Sequence, residues 1–466
     1  MKKIIFAFIV ILTFQTGCTK LDTELYDKIL PSDYVADPVL KMSPIYAPMK
    51  DFIDDNGNWW FAQELTADAM CPPTRAADWD DSGKWRLLHT HEWSNNTETV
   101  NRMWGKFYNG VVEANKFLEE MGAYEPAPII DQGIAKAKIL RAYYYYLLID
   151  NYKNVPYVTS YLNAEESPML NFRKDIFDSI IKEIEINAIK LPNTITTKTG
   201  VTKGMAYSLL AKLYLNSEVY TGTPQWSKAE QYCDSVISLN AYSLVSNPLE
   251  PFVTNNGDCP ENIFIIPFNE DTYQGFRLHM RILHYNSNLT YDMTVGPWNG
   301  FAAIEDFYNT YEDIDIRKSA FLVGQQYKSN GDKIFDEAAN ADLIFDPHIP
   351  ALKMDGSFTP IQIRMSGVRP VKFEVKLGAK ENLSNQFPIF RYADVLLMKA
   401  ECQIRNSGDG AGDELINQIR TRAGVSLLSG VGLDELLAER GREMFFEGHR
   451  RQDLIRFGKF NNAWWE

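Results

Sequence analysis

Apolar residues recur at helical spacing through residues 102–240, and that pattern limits the chain to a helix-rich body. Residues 102–121 put Met103, Phe107, Val111, Ala114 and Leu118 on one face, and 132–150 does the same with Ile134, Ala137, Leu140, Tyr144, Leu147 and Leu148. The stretch 174–191 repeats Ile176, Ile180 and Ile184 and stops at Pro192, which cannot continue a helix. A fourth, 203–216, carries Ala206, Leu209, Leu210 and Leu213. Ser227 and Glu230 have capping-box spacing, in which each side chain satisfies a free backbone N–H of the other. They open a helix running through Ala229, Tyr232, Cys233, Val236 and Ile237. The small residues Ala206, Ala211 and Ala229 allow neighbouring helices to approach closely. Helix is predicted again over 393–406, 413–423 and 434–447.

Helix pairs returning every ~30–35 residues are similar to degenerate tetratricopeptide units. The region 241–390 differs: it is rich in Pro, Gly, Asn and aromatics and offers only short strand-like runs such as Ile263 to Phe268. The predicted fold is mainly α, a tetratricopeptide-like helical-repeat scaffold with long irregular loops and a few short strands. Long loops in a compact body usually carry function.

The N-terminus reads separately. Lys2 and Lys3 precede an apolar run from Ile4 to Phe14, and Thr16, Gly17 and Cys18 follow. Basic, apolar and small residues in that order describe a secretory signal, and the run is short for a permanent membrane span. Cys18 directly after Gly17 resembles a bacterial lipobox, although Gln15 stands where that motif usually has leucine. The expected segments are a signal peptide over 1–17, an N-terminal helical region over 18–240 and a C-terminal region over 241–466. The resemblance implies lipidation of Cys18, whose several acyl chains would tether a soluble body to a membrane.

The chain of 466 residues has a net charge of −14 and 45% hydrophobic residues, ample for a large core. Residues 1–17 hold two lysines and no acid, so the mature chain carries −16. Such a body repels nucleic acid, and no basic stripe offsets that. Cys71, Cys233, Cys259 and Cys402 lack CxxC spacing, which argues against a zinc or redox motif. Export permits disulfides, and spacing alone leaves open whether any form. Cys233 and Cys402 fall inside helical patterns as small core residues. No HExxH, P-loop or GxSxG pattern is present, and Gly408 to Gly412 lacks GxGxxG spacing. His89 and His91 flank Thr90 and would share a face on a strand, but no third ligand is near, so a structural pair is expected. Neither cofactor nor metal is implied.

The segment from Leu433 to Leu454, including Glu439, Arg440, Arg442, Glu443, Glu447, Gly448, Arg450 and Asp453, resembles the C-terminal hallmark of SusD/RagB-type outer-membrane lipoproteins. Phe390 to Met398 matches a second block, and Leu65 to Asp68, Arg75 and Asp78 to Asp80 resemble the family's ligand-side loop, placed within 59–100. The family often has Asp-Glu at Asp68-Ala69, and it usually runs on into a proline-containing tail where this chain has Trp464, Trp465 and Glu466, so truncation is the expectation. Physically, Glu439 with Arg442 and Arg440 with Glu443 are three apart and suited to ion pairs across a helical turn, and Gly448 would end that helix and turn Arg450 and Asp453 back towards it. The resemblance implies a surface lipoprotein that binds oligosaccharides and docks as a lid on a TonB-dependent, SusC-like transporter in the outer membrane.

Six of the ten tryptophans, Trp59, Trp60, Trp79, Trp85, Trp93 and Trp104, fall within one-tenth of the chain. Trp93 and Trp104 sit among apolar neighbours and read as core. Trp79 lies in a polar loop with Arg75, Asp78 and Asp80, and Trp298-Asn299 offers a second platform in the other long-loop region. Sugars present an apolar C–H face and a hydroxyl rim, which a flat ring beside carboxylates, amides and guanidinium satisfies. Arg75, Asp78, Trp79, Asp80, Trp85, Trp298 and Asn299 are therefore the candidate glycan contacts. Two rival readings stand beside this one: a helical-repeat or peptide-binding scaffold, and a glycoside hydrolase using Asp78, Asp80 and Asp81. Carboxylates crowded on one short loop suit opposed placement about a glycosidic bond poorly.

Replacing Cys18 with alanine should move the folded protein out of the membrane fraction. Separately, co-purification of the unaltered chain in mild detergent should recover a large β-barrel transporter. Unchanged membrane association of the cleaved variant would contradict the anchor, and absence of a barrel from the unaltered chain would contradict the partner.

Overall fold

The computed structural model describes residues 37–54, 58–194 and 197–462, so Cys18 and the terminal tryptophans lie outside the described residues. The described residues from Pro38 onward form one unit. Its frame is a run of helices: α1 (Ser43–Asp54), α2 (Trp59–Leu65), α3 (Glu98–Gly122), α4 (Pro128–Tyr152), α5 (Arg173–Ala188), α6 (Lys203–Leu215) and α7 (Trp226–Ser238). After the long-loop region come α8 (Tyr392–Ser407), α9 (Asp413–Ala423), α10 (Leu433–Met444) and α11 (Arg450–Arg456). Helices pack on their neighbours in sequence, α3 on α4, α4 on α5 and α6 on α7, and α7 then packs on α8 across the inserted loops. Each helix foreseen from apolar spacing is present, and the architecture is the expected mainly helical one. No helix among the described residues is long and apolar enough to cross a membrane.

Local chemistry sets the ends. Pro128 opens α4 at a position that needs no N–H, and the Thr202 hydroxyl caps α6 by accepting from Met205 N at 3.2 Å. The Ser227–Glu230 box does not form. The helix starts at Trp226, and both side chains reach Asn406 of α8 instead, at 3.5 and 3.3 Å. Burial of α4 is nearly complete from Ala135 to Ile149. Three of its buried tyrosines have partners for their hydroxyls: Tyr144 donates to Ile45 O at 2.5 Å, Tyr145 to Val158 O at 2.8 Å, and Tyr146 accepts from Gln452 at 2.8 Å. Gly110 of α3 lies directly on the Tyr144 ring, where any Cβ would collide.

Between α7 and α8 regular structure is brief. Asn262–Ile266 pairs antiparallel with Phe387–Arg391, which realises the predicted strand two residues earlier than its pattern ends. Two-residue bridges stitch distant loops: Met70–Cys71 to Ala302–Ala303, antiparallel, and Thr74–Arg75 to Lys353–Met354, parallel. These two bridges seat the loop after α2 on the long-loop region.

The C-terminal block carries a buried ionic network. Arg391 binds Glu261 and Glu443 at 2.7 Å and Glu447 at 2.6 Å. Arg422 joins Glu261 at 2.5 Å and also pairs with Glu443, while Arg317 joins Glu439 at 2.8 Å and Glu443 at 3.1 Å. A second cluster links Arg440 to Asp394 and Asp453 at 2.9 Å, Lys212 to Asp394 at 2.9 Å and Arg456 to Glu401 at 2.7 Å. The expected Glu439–Arg442 pair is present at 2.7 Å, but Arg440 and Glu443 do not pair. Each belongs to a different cluster. Helix α10 stops at Met444, before Gly448; Phe446 and Gly448 take left-handed backbone, with φ of 69° and 77°. The chain then returns as expected: Arg450 donates to Leu437 O at 2.8 Å and Asp453 reaches Arg440.

Burial pushes the carboxyls of Asp394, Glu401, Glu439, Glu443, Glu447 and Asp453 up, but the adjoining cations outweigh it and hold all six low, Glu439 at about 2. Glu64 goes the other way. Burial raises it to about 8 against a hydrogen bond from Gly448 N at 2.6 Å, and its second oxygen has no hydrogen-bond partner among the described residues. Lowered groups contribute stability above their ordinary value and lose it as pH falls from about 4.5 towards 2. The raised Glu64 contributes below about 4.5 and loses that contribution as pH rises through about 8. The melting temperature should therefore drop steeply below pH 4.5 and decline gently from pH 5 to 8. Glu64→Gln should cancel the second decline, gaining more at pH 8.5 than at pH 5. A gain equal at both pH values would contradict the assignment.

Candidate functional site

The loop that follows α2 is built under backbone strain. Ala76, Trp79, Asp81 and Ser82 have φ of 58°, 60°, 38° and 56°, a left-handed region that costs a non-glycine residue about 1–3 kcal/mol. Reciprocal backbone bonds between Arg75 and Asp78, at 2.9 and 3.1 Å, close the turn. The Arg75 side chain is buried and donates to the carbonyls of Gly300 at 3.1 Å, Ile363 at 2.8 Å and Ser366 at 3.0 Å. Burial lowers its pKa to about 10. Arg75 is thus a clamp beneath the loop, not a surface contact, because its guanidinium is used up on backbone carbonyls. Asp80 accepts from Arg86 at 2.8 Å, and Asp81 from the Trp85 indole N–H at 2.6 Å.

Trp79 and Trp298 meet. The Trp79 indole N–H donates to the Trp298 carbonyl at 2.8 Å, joining two loops 219 residues apart. The Trp79 ring lies on Gly300, where a Cβ would come within 2.5 Å of it, and leans on Phe301 with ring centres 4.8 Å apart. The Trp298 ring lies by the guanidinium groups of Arg281 at 5.4 Å and Arg277 at 6.0 Å, and the Trp298 backbone N–H donates to Met280 O at 2.6 Å. Both residues are half-buried. Trp85 and Asn299 do not reach the surface. Trp85 is 2% exposed, packed between Phe61 and Phe301 under Trp79. Asn299 is fully buried, donating to Arg364 O at 3.0 Å and accepting from Arg369 at 2.9 Å. Both support the platform from below, because their polar groups are satisfied by protein.

Three groups at this face carry no motif and were missed. Tyr285 donates its hydroxyl to the exposed Asp78 carboxylate, and its ring stacks on the Arg364 guanidinium at 4.7 Å. Arg364 is held by Asp336 at 2.5 and 2.8 Å, and Arg277 by Asp54 at 2.6 Å. Contacts made through space place them at this face: Tyr285 with Asp78, Arg364 with Tyr285 and Arg277 with Trp298. The three clustered aspartates are each engaged, Asp78 by Tyr285, Asp80 by Arg86 and Asp81 by Trp85, which leaves the hydrolase reading without an opposed pair of carboxylates on this loop.

Other expectations fare variously. His89 ends a short helix, Lys84–His89, so the pair does not share a strand. Burial drops His89 to about 4, and His91 sits 2.9 Å from Thr66 O, stacked on Phe460. Trp93 and Trp104 are half-buried and not core; Trp104 packs at the edge against Tyr108 and Tyr152. Cys71, Cys233, Cys259 and Cys402 are buried and free. Among the described residues no cluster of side chains suits a metal ion. A cleft of about 350 Å³ opens in the 157–171 hairpin, away from any of the predicted contacts. Because the Trp79 ring rests on Gly300, Gly300→Ala should lift it. Tryptophan emission should shift to the red while the fold is kept, and an unchanged spectrum would contradict the seating.

The SusD family profile matches residues 260–466, and a second profile, described as starch-binding and associating with the outer membrane, matches residues 33–215. The chain is 25% identical over 428 residues to the starch-binding protein SusD of Bacteroides thetaiotaomicron, covering 83% of this chain and 76% of that protein. Among solved structures, a laminarin-binding SusD-like protein superposes with a TM-score of 0.73 at 20% identity, over 91% of each chain. Surface glycan-binding protein A from Bacteroides thetaiotaomicron, in complex with laminarihexaose, superposes at 0.71 with 21% identity, over 91% of this chain and 90% of that one. Likeness at these identities establishes the fold. With profiles matching both halves of the sequence, the chain belongs to the SusD family.

Proposed function

We propose that the Trp79–Trp298 face binds oligosaccharides at the outer-membrane surface and presents them to a TonB-dependent, SusC-like transporter, with Cys18 as the lipid anchor. One observation carries the reading: the Trp79 indole N–H is bonded to the Trp298 main-chain carbonyl, which brings together two partly exposed tryptophans from loops 219 residues apart. Around them stand Asp78, Asp80, Arg277 and Arg364, a rim of acceptors and donors for hydroxyls. Indole faces cover the apolar side of a sugar ring, and their orientation is fixed before the ligand arrives, which limits the entropy lost on binding. The starch-binding and laminarin-binding relatives support the ligand class. The second profile's description supports the location, and the transporter follows from the family alone.

Trp79→Ala removes most of the apolar contact and should cost on the order of 1.5–3 kcal/mol. That is roughly a ten- to hundredfold loss of affinity. Trp298→Ala should weaken binding too, whereas Trp104→Ala, at the edge of α3, should lower the melting temperature and spare binding. Calorimetric titration with a retained member of a glycan panel checks the contrast. Intact affinity in both loop variants would place the site elsewhere.

A further inference from the structure

We infer that Tyr285 is a positioning residue: its hydroxyl bond to Asp78 holds the strained 76–82 loop closed and so keeps Trp79 seated for the ligand. This rests on the glycan-binding reading of the face. The loop has four non-glycine residues in left-handed conformation within seven positions, so something outside it must keep it in place. Two of its side-chain bonds hold its far end: Asp80 binds Arg86 and Asp81 binds the core-packed Trp85, both on the short helix Lys84–His89 that follows the loop, so neither bond reaches the Trp298 side. Arg75 fixes the base of the turn, beneath the surface. At the start of the loop the Ala76 N–H also donates to Met354 O at 2.8 Å. Among the described residues the side-chain bonds that tie Asp78 and Trp79 to the opposite wall are Tyr285–Asp78 and Trp79–Trp298, the second involving the indole that the ligand would meet.

The anchor behind Tyr285 is rigid. Its ring lies on the Arg364 guanidinium at 4.7 Å, Arg364 is forked onto Asp336, and Asp336 is backed by His284 and Asn286, each at 3.4 Å. The Arg364 carbonyl also receives Asn299, the neighbour of Trp298, at 3.0 Å. Arg364 thus braces both tryptophan loops, one through its side chain and one through its backbone, and Tyr285 is the link on the Trp79 side. Burial, then the bond and charge of Asp78, raise the Tyr285 pKa to about 12, so the hydroxyl keeps the proton it donates.

Tyr285→Phe keeps the ring and its stacking and deletes only the hydroxyl. In the unliganded protein, deuterium exchange of residues 76–82 should speed up several-fold, with the melting temperature little changed. Affinity for laminarihexaose or maltoheptaose should fall about three- to tenfold, the loss appearing as faster dissociation. Added to Asp78→Ala, Tyr285→Phe should cost nothing further, because the bond is already gone. Asp78→Asn, which keeps an acceptor oxygen, should restore slow exchange. Unchanged exchange in Tyr285→Phe overturns the inference, and so does a further loss in the double variant, which would make the hydroxyl a direct sugar contact. Faster exchange with unaltered affinity overturns the positioning role. If Trp79→Ala leaves binding of both sugars intact, the reading of the face fails instead, and the exchange data alone decide whether Tyr285 holds the loop.

Discussion

Guanidinium and carboxylate groups sealed from water around Glu443 fix how the last quarter of the chain sits on the rest. Glu443 gathers Arg391 from the strand before α8, Arg422 from the end of α9 and Arg317 from the long-loop region. Each ion costs several kcal/mol to bury, and well-packed apolar residues could give equal stability. The clusters contribute register. A displaced helix would leave an uncompensated charge in the core, so one arrangement is favoured over its neighbours. Glutamate and arginine on successive turns of α10 feed two separate clusters, which locks that helix about its own axis as well as along it.

The same block reaches the candidate binding face through α2. Gly448 N–H donates to Glu64, Arg450 pairs with Asp68 at 2.7 Å, and the Trp60 indole donates to Phe446 O at 3.3 Å. From α2 the contacts continue outward: Phe61 meets the Arg281 guanidinium at 5.2 Å and the Trp85 ring at 5.3 Å, and those two groups underlie Trp298 and Trp79. A rigid path thus runs from the ionic clusters to both indoles. It explains why a helical scaffold can present a precise surface on loops with little regular structure.

The helices were legible because a 3.6-residue apolar period is a local signal, and α3 to α6 follow it closely. Trp79 and Trp298 were legible as loop tryptophans in two separate regions, but the bond that joins them is set by the fold. What escaped were partners chosen through space. Ser227 and Glu230 obey cap spacing yet bond to Asn406; Arg440 and Glu443 stand one turn apart yet serve different clusters. Arg75 and Asn299 read as exposed polar contacts but are consumed by carbonyls and Arg369, and Tyr285 has no local signature at all. In each case a contact more than 40 residues away outweighed the nearest neighbours, and a local pattern cannot encode that.

Oligosaccharide binding at the face that joins Trp79 to Trp298 can be seen in a crystal structure of the chain grown with laminarihexaose or maltoheptaose. A pyranose ring should lie flat on one or both indoles, its hydroxyls within reach of Asp78, Asp80, Arg277 or Arg364. Sugar density seated in the 157–171 cleft, with the two indoles bare, would contradict it.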